Sequence, residues 1–436
     1  MNQHFTQHSS HRSPLTLASR RGVFKASLGS ALATLLTSRS RGNEEASLVP
    51  AANDKSVILL WLEGGPFQTE SFDPKVSTKE NLAYRYKPTS TSVAGVQYSE
   101  CLPELAKLAH HLAVIRSMVG EEGEHNLAQY HMQTGWRNTG PLQAPALGSI
   151  VAHELGTVPM LRANPDGLPT YVSINRQGYP AGHFGASFKP TIVSNPENPP
   201  ENLNLPGGIT NEIFDRRLQL LDAVEQGRSP TALSQFLASG RSGATGFMRS
   251  SQREAFDLKK ESDADRDRYG RSRFGQGCLL ARRLVSAGVR FVQVGSEGFD
   301  QHADHYPRQI DLFKQLDQGM SNLIIDLEQR GLLENTLVIA AGEFGRTPNF
   351  NGNKGRDHWF TGYSVAMAGG GFQGGSVYGA MSETGEEVKD NPVSVPDYFA
   401  TLLHAVGINP EKEYTDDFDR PIKLVDEGQA IHELLS

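Results

Sequence analysis

The sequence predicts an α/β fold: a doubly wound, mostly parallel sheet with helices on both faces. Three observations carry this expectation. Apolar runs of strand length are continuous rather than alternating, as strands buried on both faces require. Stretches with apolar residues at helical spacing separate them. Several runs stop at glycine, and acidic and histidine residues follow the stop.

Taken in order, "SVILLWLEGG" (56–65) reads as a buried strand closed by Gly64-Gly65. "LPELAKLAHH" is a short helix and "LAVIRSM" (112–118) the next strand. "NLAQYHMQTG" (126–135) is a helix that stops at Gly135, and "PTYVSI" (169–174) is a strand. "GQGCLLARRLVSAG" is a helix with a glycine stop, leading into the strand "VRFVQVGS" (289–296). The stretch 306–331 carries apolar residues at helical spacing and ends on a glycine C-cap. "NTLVIAAGE" (335–343) and "YSVAMAGGG" are strands, and "VPDYFATLLHAVG" (395–407) is the last helix. Between them, 195–275 is rich in Pro, Asn and charge, and reads as a helical, charged insertion in a domain spanning 54–408. Residues 409–436 read as a peripheral C-terminal tail.

The 436 residues are 38% hydrophobic and 21% charged, enough for a sizeable core. The net charge of −7 and the absence of a basic run or a nucleic-acid-binding motif argue against nucleic acid as a partner. Cys101 and Cys278 are the only cysteines, too few for a disulfide framework, and no CxxC site is present. Residues 1–42 hold six Lys/Arg and no acid. There Arg20-Arg21-Gly22-Val23-Phe24-Lys25 precedes the mildly apolar "ASLGSALATLL", which reads as a twin-arginine signal and linker. The plainer reading is a frayed basic tail. The apolar stretch is too short for a stable membrane span. The expected partner during export is the twin-arginine translocase, and the expected location periplasmic or extracellular.

In a doubly wound sheet, ligands bind beyond the carboxyl ends of the strands. Glu63 follows the first strand, and Glu124, His125 and Asn126 come shortly after the second. Glu297, Asp300, His302, Asp304 and His305 follow "FVQV". Glu343 ends "TLVIAAG", with Arg346, an Asn/Gly loop, Arg356, Asp357 and His358 after it. Carboxylates mixed with imidazoles suit a divalent cation (Zn, Mn or Ca), which also offsets their mutual repulsion. Arg346, Lys354 and Arg356 are placed to hold an anionic substrate group. Each motif also has a plainer reading. Glu63 could cap the next turn, "FDQHADHY" could be a polar surface turn, and "GRDHW" could be a structural knot of Arg, Asp and a packed Trp. "AGGGFQGG" lacks the Lys-Ser/Thr of a phosphate loop and reads as a glycine turn.

The segments 57–75, 298–306, "GEFGRTPNFNGNKGRDHW" (342–359), 368–379 and 395–408 resemble the exported bacterial family known as domain of unknown function 1501. That family is similar to the alkaline phosphatase and sulfatase superfamily. The resemblance implies an alkaline phosphatase/sulfatase-like core with one or two metals, ligated here by Glu63, Asp300, His302, Glu343 and His358, with His305 competing. It sets His125 where a sulfatase has its modified cysteine, as nucleophile or acid/base. Phe344 takes a position where a metal ligand is expected; apart from the resemblance, Thr69 is an alternative nucleophile by its nearness to Glu63 alone. The expected activity is exported, metal-dependent hydrolysis of sulfate or phosphate esters on an anionic small molecule or glycan. The alternative is a non-catalytic exported protein binding a carbohydrate or cell-surface ligand.

Overall fold

The computed structural model describes residues 55–76, 86–138, 140, 143–156, 168–200, 205, 207–226, 241, 245–246, 248, 251–415 and 420–436. The expected export signal, residues 1–42, lies outside them.

A nine-stranded sheet organises the chain. Its strands are β1 (Ser56–Leu62), β2 (Leu112–Val119), β3 (Tyr171–Ile174), β4 (Thr191–Val193) and β5 (Phe291–Ser296). They continue with β6 (Thr336–Ala341), β7 (Tyr363–Ala368), β8 (Val377–Tyr378) and β9 (Val393–Ser394). The order is β8-β2-β7-β6-β1-β5-β3-β4, with β9 also paired to β2. β7 runs antiparallel to both its neighbours, and every other pairing is parallel. The fold is therefore α/β with a mostly parallel sheet, as the continuous apolar runs require.

Five helices matter to the site: α1 (His125–Thr134), α2 (Leu147–Glu154), α3 (Arg273–Ser286), α4 (His305–Gln329) and α5 (Val395–Ala405). The side chains of β1 alternate between two cores. Ile58, Leu60 and Leu62 join Leu280 and Leu284 of α3 and Phe313, Leu316 and Met320 of α4 on one face. Val57, Leu59 and Trp61 join Ile150 and Val151 of α2 and Phe399 and Leu402 of α5 on the other. Burial on both sides is worth about 1.5–3 kcal/mol per large aliphatic side chain. This explains why the strands are apolar throughout and why polar residues are displaced to their ends.

Register brings those ends level. Leu62 pairs with Ser296, and Trp61 pairs with both Gly295 and Ala341. Glu63, the loop after Ser296, and Glu343 therefore emerge side by side. β2 points the same way, which delivers α1 to the same edge. α1 starts cleanly because the Glu124 carboxylate accepts the Leu127 N–H at 3.1 Å. It stops at Gly135, whose φ of +72° is left-handed and whose missing Cβ leaves room for the Phe399 ring.

The stretch 195–275 contains, among the described residues, a helix at Asn211–Gln226 and a short one at Asp263–Arg268. The end of the chain is more closely packed than a peripheral tail. Leu424, Val425 and Leu434 are buried, and Gln373 N–H donates to the Leu434 carbonyl at 2.8 Å.

Candidate metal centre

Three histidines and one aspartate from three separate segments converge beyond the carboxyl ends of the strands. His125 opens α1. Asp300 and His302 lie in the loop between β5 and α4. His358 comes from a two-stranded ribbon in which His358 pairs with Arg346 and Trp359 with Gly345. That ribbon returns the chain to the strand end it left fifteen residues earlier at Glu343. His125, Asp300 and His358 each offer one donor atom, all within 4.8 Å of one another. His302 joins them, its Nε2 2.9 Å from Asp300 Oδ1 and 3.0 Å from His358 Nε2.

The outward nitrogens of these rings are all engaged. His125 Nδ1 is 2.7 Å from Glu343 Oε1, His302 Nδ1 is 2.8 Å from Asp357 Oδ1, and His358 Nδ1 is 2.7 Å from the Gly123 carbonyl. Carboxylates and carbonyls accept hydrogen bonds, so each Nδ1 carries the proton and donates it. In a neutral ring each Nε2 is then a lone pair, and all three face Asp300. Two such lone pairs at 3.0 Å, on His302 and His358, need positive charge between or beside them. The separations of 2.9–3.3 Å around Asp300 Oδ1 and Oδ2 also match ligands sharing one cation. At metal–ligand distances of about 2.0–2.2 Å, neighbouring ligands lie roughly 3 Å apart. By donor chemistry and tautomer, the residues present fit a divalent metal.

The electrostatics agree. Burial pushes the Asp300 carboxyl up, but Arg346, His302 and His125 outweigh it and hold it down to about 2. Arg346 lies 2.5 Å from Asp300 Oδ1 with its side chain fully buried. The hydrogen bond to Glu343 raises the pKa of His125, whereas burial lowers that of His358. Phe344 stacks on His358 with ring centroids 4.4 Å apart and stands 5.0 Å from His125. A phenyl where a ligand was expected thus forms the wall behind two imidazoles.

The other expected site residues take different places. Glu343 is fully buried and meets the cluster through His125; its Oε1 also accepts the Gly64 N–H at 2.9 Å. Glu63 stands further back, contacting Gln129 Nε2 at 3.4 Å and Arg176 Nη1 at 3.4 Å. His305 is buried against Phe67, 3.7 Å from Glu70 Oε2, and does not join the cluster. Thr69 is wholly buried, which removes it as a substitute nucleophile. The anion-binding role expected of Arg356 gives way to a structural one. Its guanidinium lies 4.0 Å from the Phe67 ring and 4.0 Å from the Phe350 ring, and donates to the Thr347 and Pro348 carbonyls. Arg346 likewise spends its donors on Asp300 and on the carbonyls of Gly64, Gly65 and Arg356.

Sequence reasoning passed over Gln129, Arg176, Tyr179 and the Gly123 carbonyl. Gln129 carried a usable signal, since it lies four residues after His125 on the same helix face. The Gly123 carbonyl carried none.

Fold and site together define an α/β protein with a histidine-rich, carboxylate-backed centre at the carboxyl edge of its sheet. The chain belongs to the family of proteins of unknown function DUF1501, whose model matches residues 54–435. No curated protein matches it. Among solved structures, the PsFucS1 sulfatase from Pseudoalteromonas sp. is similar at 11% identity and a TM-score of 0.40, over 88% of this chain and 72% of that one. The C-terminal periplasmic domain of EcEptC from Escherichia coli, in complex with Zn, is similar at 12% identity and 0.38, over 85% and 93%. The phosphonate monoester hydrolase of Agrobacterium radiobacter is similar at 12% and 0.36, over 83% and 75%.

Proposed function

We propose that the protein is an exported metal-dependent hydrolase of sulfate or phosphate esters, with the metal held by His125, Asp300, His302 and His358. One observation carries this reading: three imidazoles, each with its Nδ1 proton committed to an acceptor, turn their Nε2 atoms onto one carboxylate. Such backing of ligand histidines by carboxylates and carbonyls is characteristic of metal sites. The nitrogen-rich set favours zinc over calcium. His125, Asp300, His302 and His358 would hold the metal, which would supply a lowered pKa for water and polarisation of an ester oxygen. The choice of ester comes from the family resemblance of the "GEFGRTP…GRDHW" motif.

The chain's own groups have distinct tasks. Glu343 and Asp357 hold the Nδ1 protons of His125 and His302, and the Gly123 carbonyl holds that of His358. Arg346 keeps Asp300 ionised. Phe344 closes the space behind the rings. Among the described residues no Ser, Thr or Cys side chain is bonded to the cluster, which favours water as the attacking group.

The test begins with the purified full-length protein. It should take up about one zinc or manganese per chain and, when loaded, hydrolyse an aryl sulfate or aryl phosphate. Asp300→Asn should abolish both. Failure to take up any divalent metal overturns the reading. A second reading, a non-catalytic binder of a carbohydrate or cell-surface ligand, is favoured by the burial of Arg346 and Arg356, which turns both away from holding a sulfate or phosphate group. Metal uptake with glycan binding and no turnover would establish it. Among the described residues no helix is long and apolar enough to cross a membrane. Export rests on the arginine pair: replacing Arg20 and Arg21 by Lys should trap the folded protein in the cytoplasm, and an unchanged exported yield would refute that route.

A further inference from the structure

We infer that Gln129, oriented by Tyr179, is a positioning residue for the metal centre, fixing Glu343 and through it His125. The inference rests on the metal reading above. Gln129 lies one turn beyond His125 on α1 and is 8% exposed. Its amide nitrogen donates to Glu343 Oε1 at 3.3 Å and to Glu63 Oε1 at 3.4 Å. Carboxylates only accept, so the NH2 group must face them and Oε1 must face away. Tyr179 completes the arrangement, its hydroxyl donating to Gln129 Oε1 at 3.0 Å. One neutral amide therefore spans two acids that would otherwise repel each other. Arg176 supplies positive charge on the far side of Glu63, at 3.4 Å.

The consequence reaches the histidine. Glu343 Oε1 gathers three donors: the Gly64 N–H, His125 Nδ1–H and Gln129. Removing the amide leaves two carboxylates facing each other without a donor between them. Glu343 then gains freedom to rotate, and His125 loses the fixed partner that sets its tautomer and aims its Nε2. Gln129 does this without touching the cluster, so its effect should appear in metal affinity beyond whatever it costs in folding.

Metal-stripped full-length protein, titrated with zinc against a competing chelator, tests this. Gln129→Met keeps the length and removes the amide; Tyr179→Phe removes only the donor to Oε1. Zinc affinity should fall about tenfold for Gln129→Met, the low end for residues backing a ligand, and less for Tyr179→Phe. The metal-free melting temperature should fall by only a few degrees, because Glu343 keeps the Gly64 N–H and His125 as donors, and the visible bands of the cobalt-loaded protein should shift. In a His125→Ala background, Gln129→Met should cost nothing further, because both act along one path. A wild type that binds no zinc overturns the metal reading and this inference together. A wild type that binds zinc while Gln129→Met binds equally well overturns the inference alone. So does a tenfold loss that persists without His125. If Gln129→Met fails to fold, an unchanged affinity and cobalt spectrum in Tyr179→Phe decides against it.

Discussion

At the scale of single residues, the centre depends on one place where a side chain cannot fit. Gly64 has φ +105°, a region that L side chains rarely adopt. A Cβ there would lie 2.2 Å from the Asp300 backbone nitrogen and 2.8 Å from the Phe299 carbonyl carbon. The close approach is what lets the Gly64 N–H reach Glu343 while its carbonyl takes a bond from Arg346. Gly64→Ala should therefore cost roughly 3 kcal/mol or more, from strained backbone and a displaced loop. Urea unfolding should show the lower midpoint, and metal content should fall because the displaced loop carries Asp300 and His302. Full stability and full metal content in that variant would show that the contact is dispensable. Arg356 teaches the converse lesson. His358, two residues on, joins the cluster, yet the Arg356 guanidinium packs 4.0 Å from each of two phenyl rings. From sequence, Arg356 was expected to hold an anion and His358 a metal, with a structural knot as the plainer reading of "GRDHW". Arg356 precedes the two-residue strand His358–Trp359, so the alternation of that strand does not tie the two side chains together, and the segment has two roles.

At the scale of elements, the docking of the C-terminal stretch onto α2 has a pH signature. Glu154, the last residue of α2, receives His153 Nδ1 at 2.7 Å, Lys412 Nζ at 2.7 Å and the Tyr414 hydroxyl. Burial pushes its carboxyl up, but these bonds outweigh burial and bring it down to about 2, against an ordinary value of 4.5. A depressed carboxylate stabilises the fold fully above its unfolded pKa and loses that contribution as pH falls toward the folded value. The window is therefore about pH 4.5 down to 2, and the stake is up to about 3 kcal/mol. Glu154→Gln should flatten the fall in melting temperature across that window and lower stability near neutral pH. Parallel curves for variant and wild type would remove the tether's role. Neither α2 nor this tether was legible beforehand. "LGSIVAHE" is a short apolar run with no capping side chain, and apolar runs of that length fit strand or helix alike. The reversed direction of β7 was equally hidden, because an apolar run buried on both faces does not record which way it points.

At the scale of the whole molecule, the sequence showed at which edge of the sheet the acidic and histidine groups gather, because polar residues are confined to strand ends wherever both faces are buried. It did not show the division of labour within the site. Glu63 and Glu343 look like ligands in one dimension, but register and the ribbon at Arg346 and His358 set them behind the histidines. The same geometry makes a claim about global stability. The four proposed ligands come from α1, from the loop between β5 and α4, and from the ribbon after β6, with 175 positions from His125 to Asp300 and a further 58 to His358. A metal bound only by the folded arrangement stabilises it by RT ln(1 + [L]/Kd), about 2.7 kcal/mol at one hundred times Kd. Zinc should therefore raise the melting midpoint of the stripped protein by several degrees, and a chelator should return it. His358→Ala removes one donor and frees the Gly123 carbonyl from its partner, so its midpoint should lie lower and respond little to zinc. A wild type whose midpoint ignores zinc, or a His358→Ala variant that responds as the wild type does, would mean that these four residues meet for packing and not for a metal.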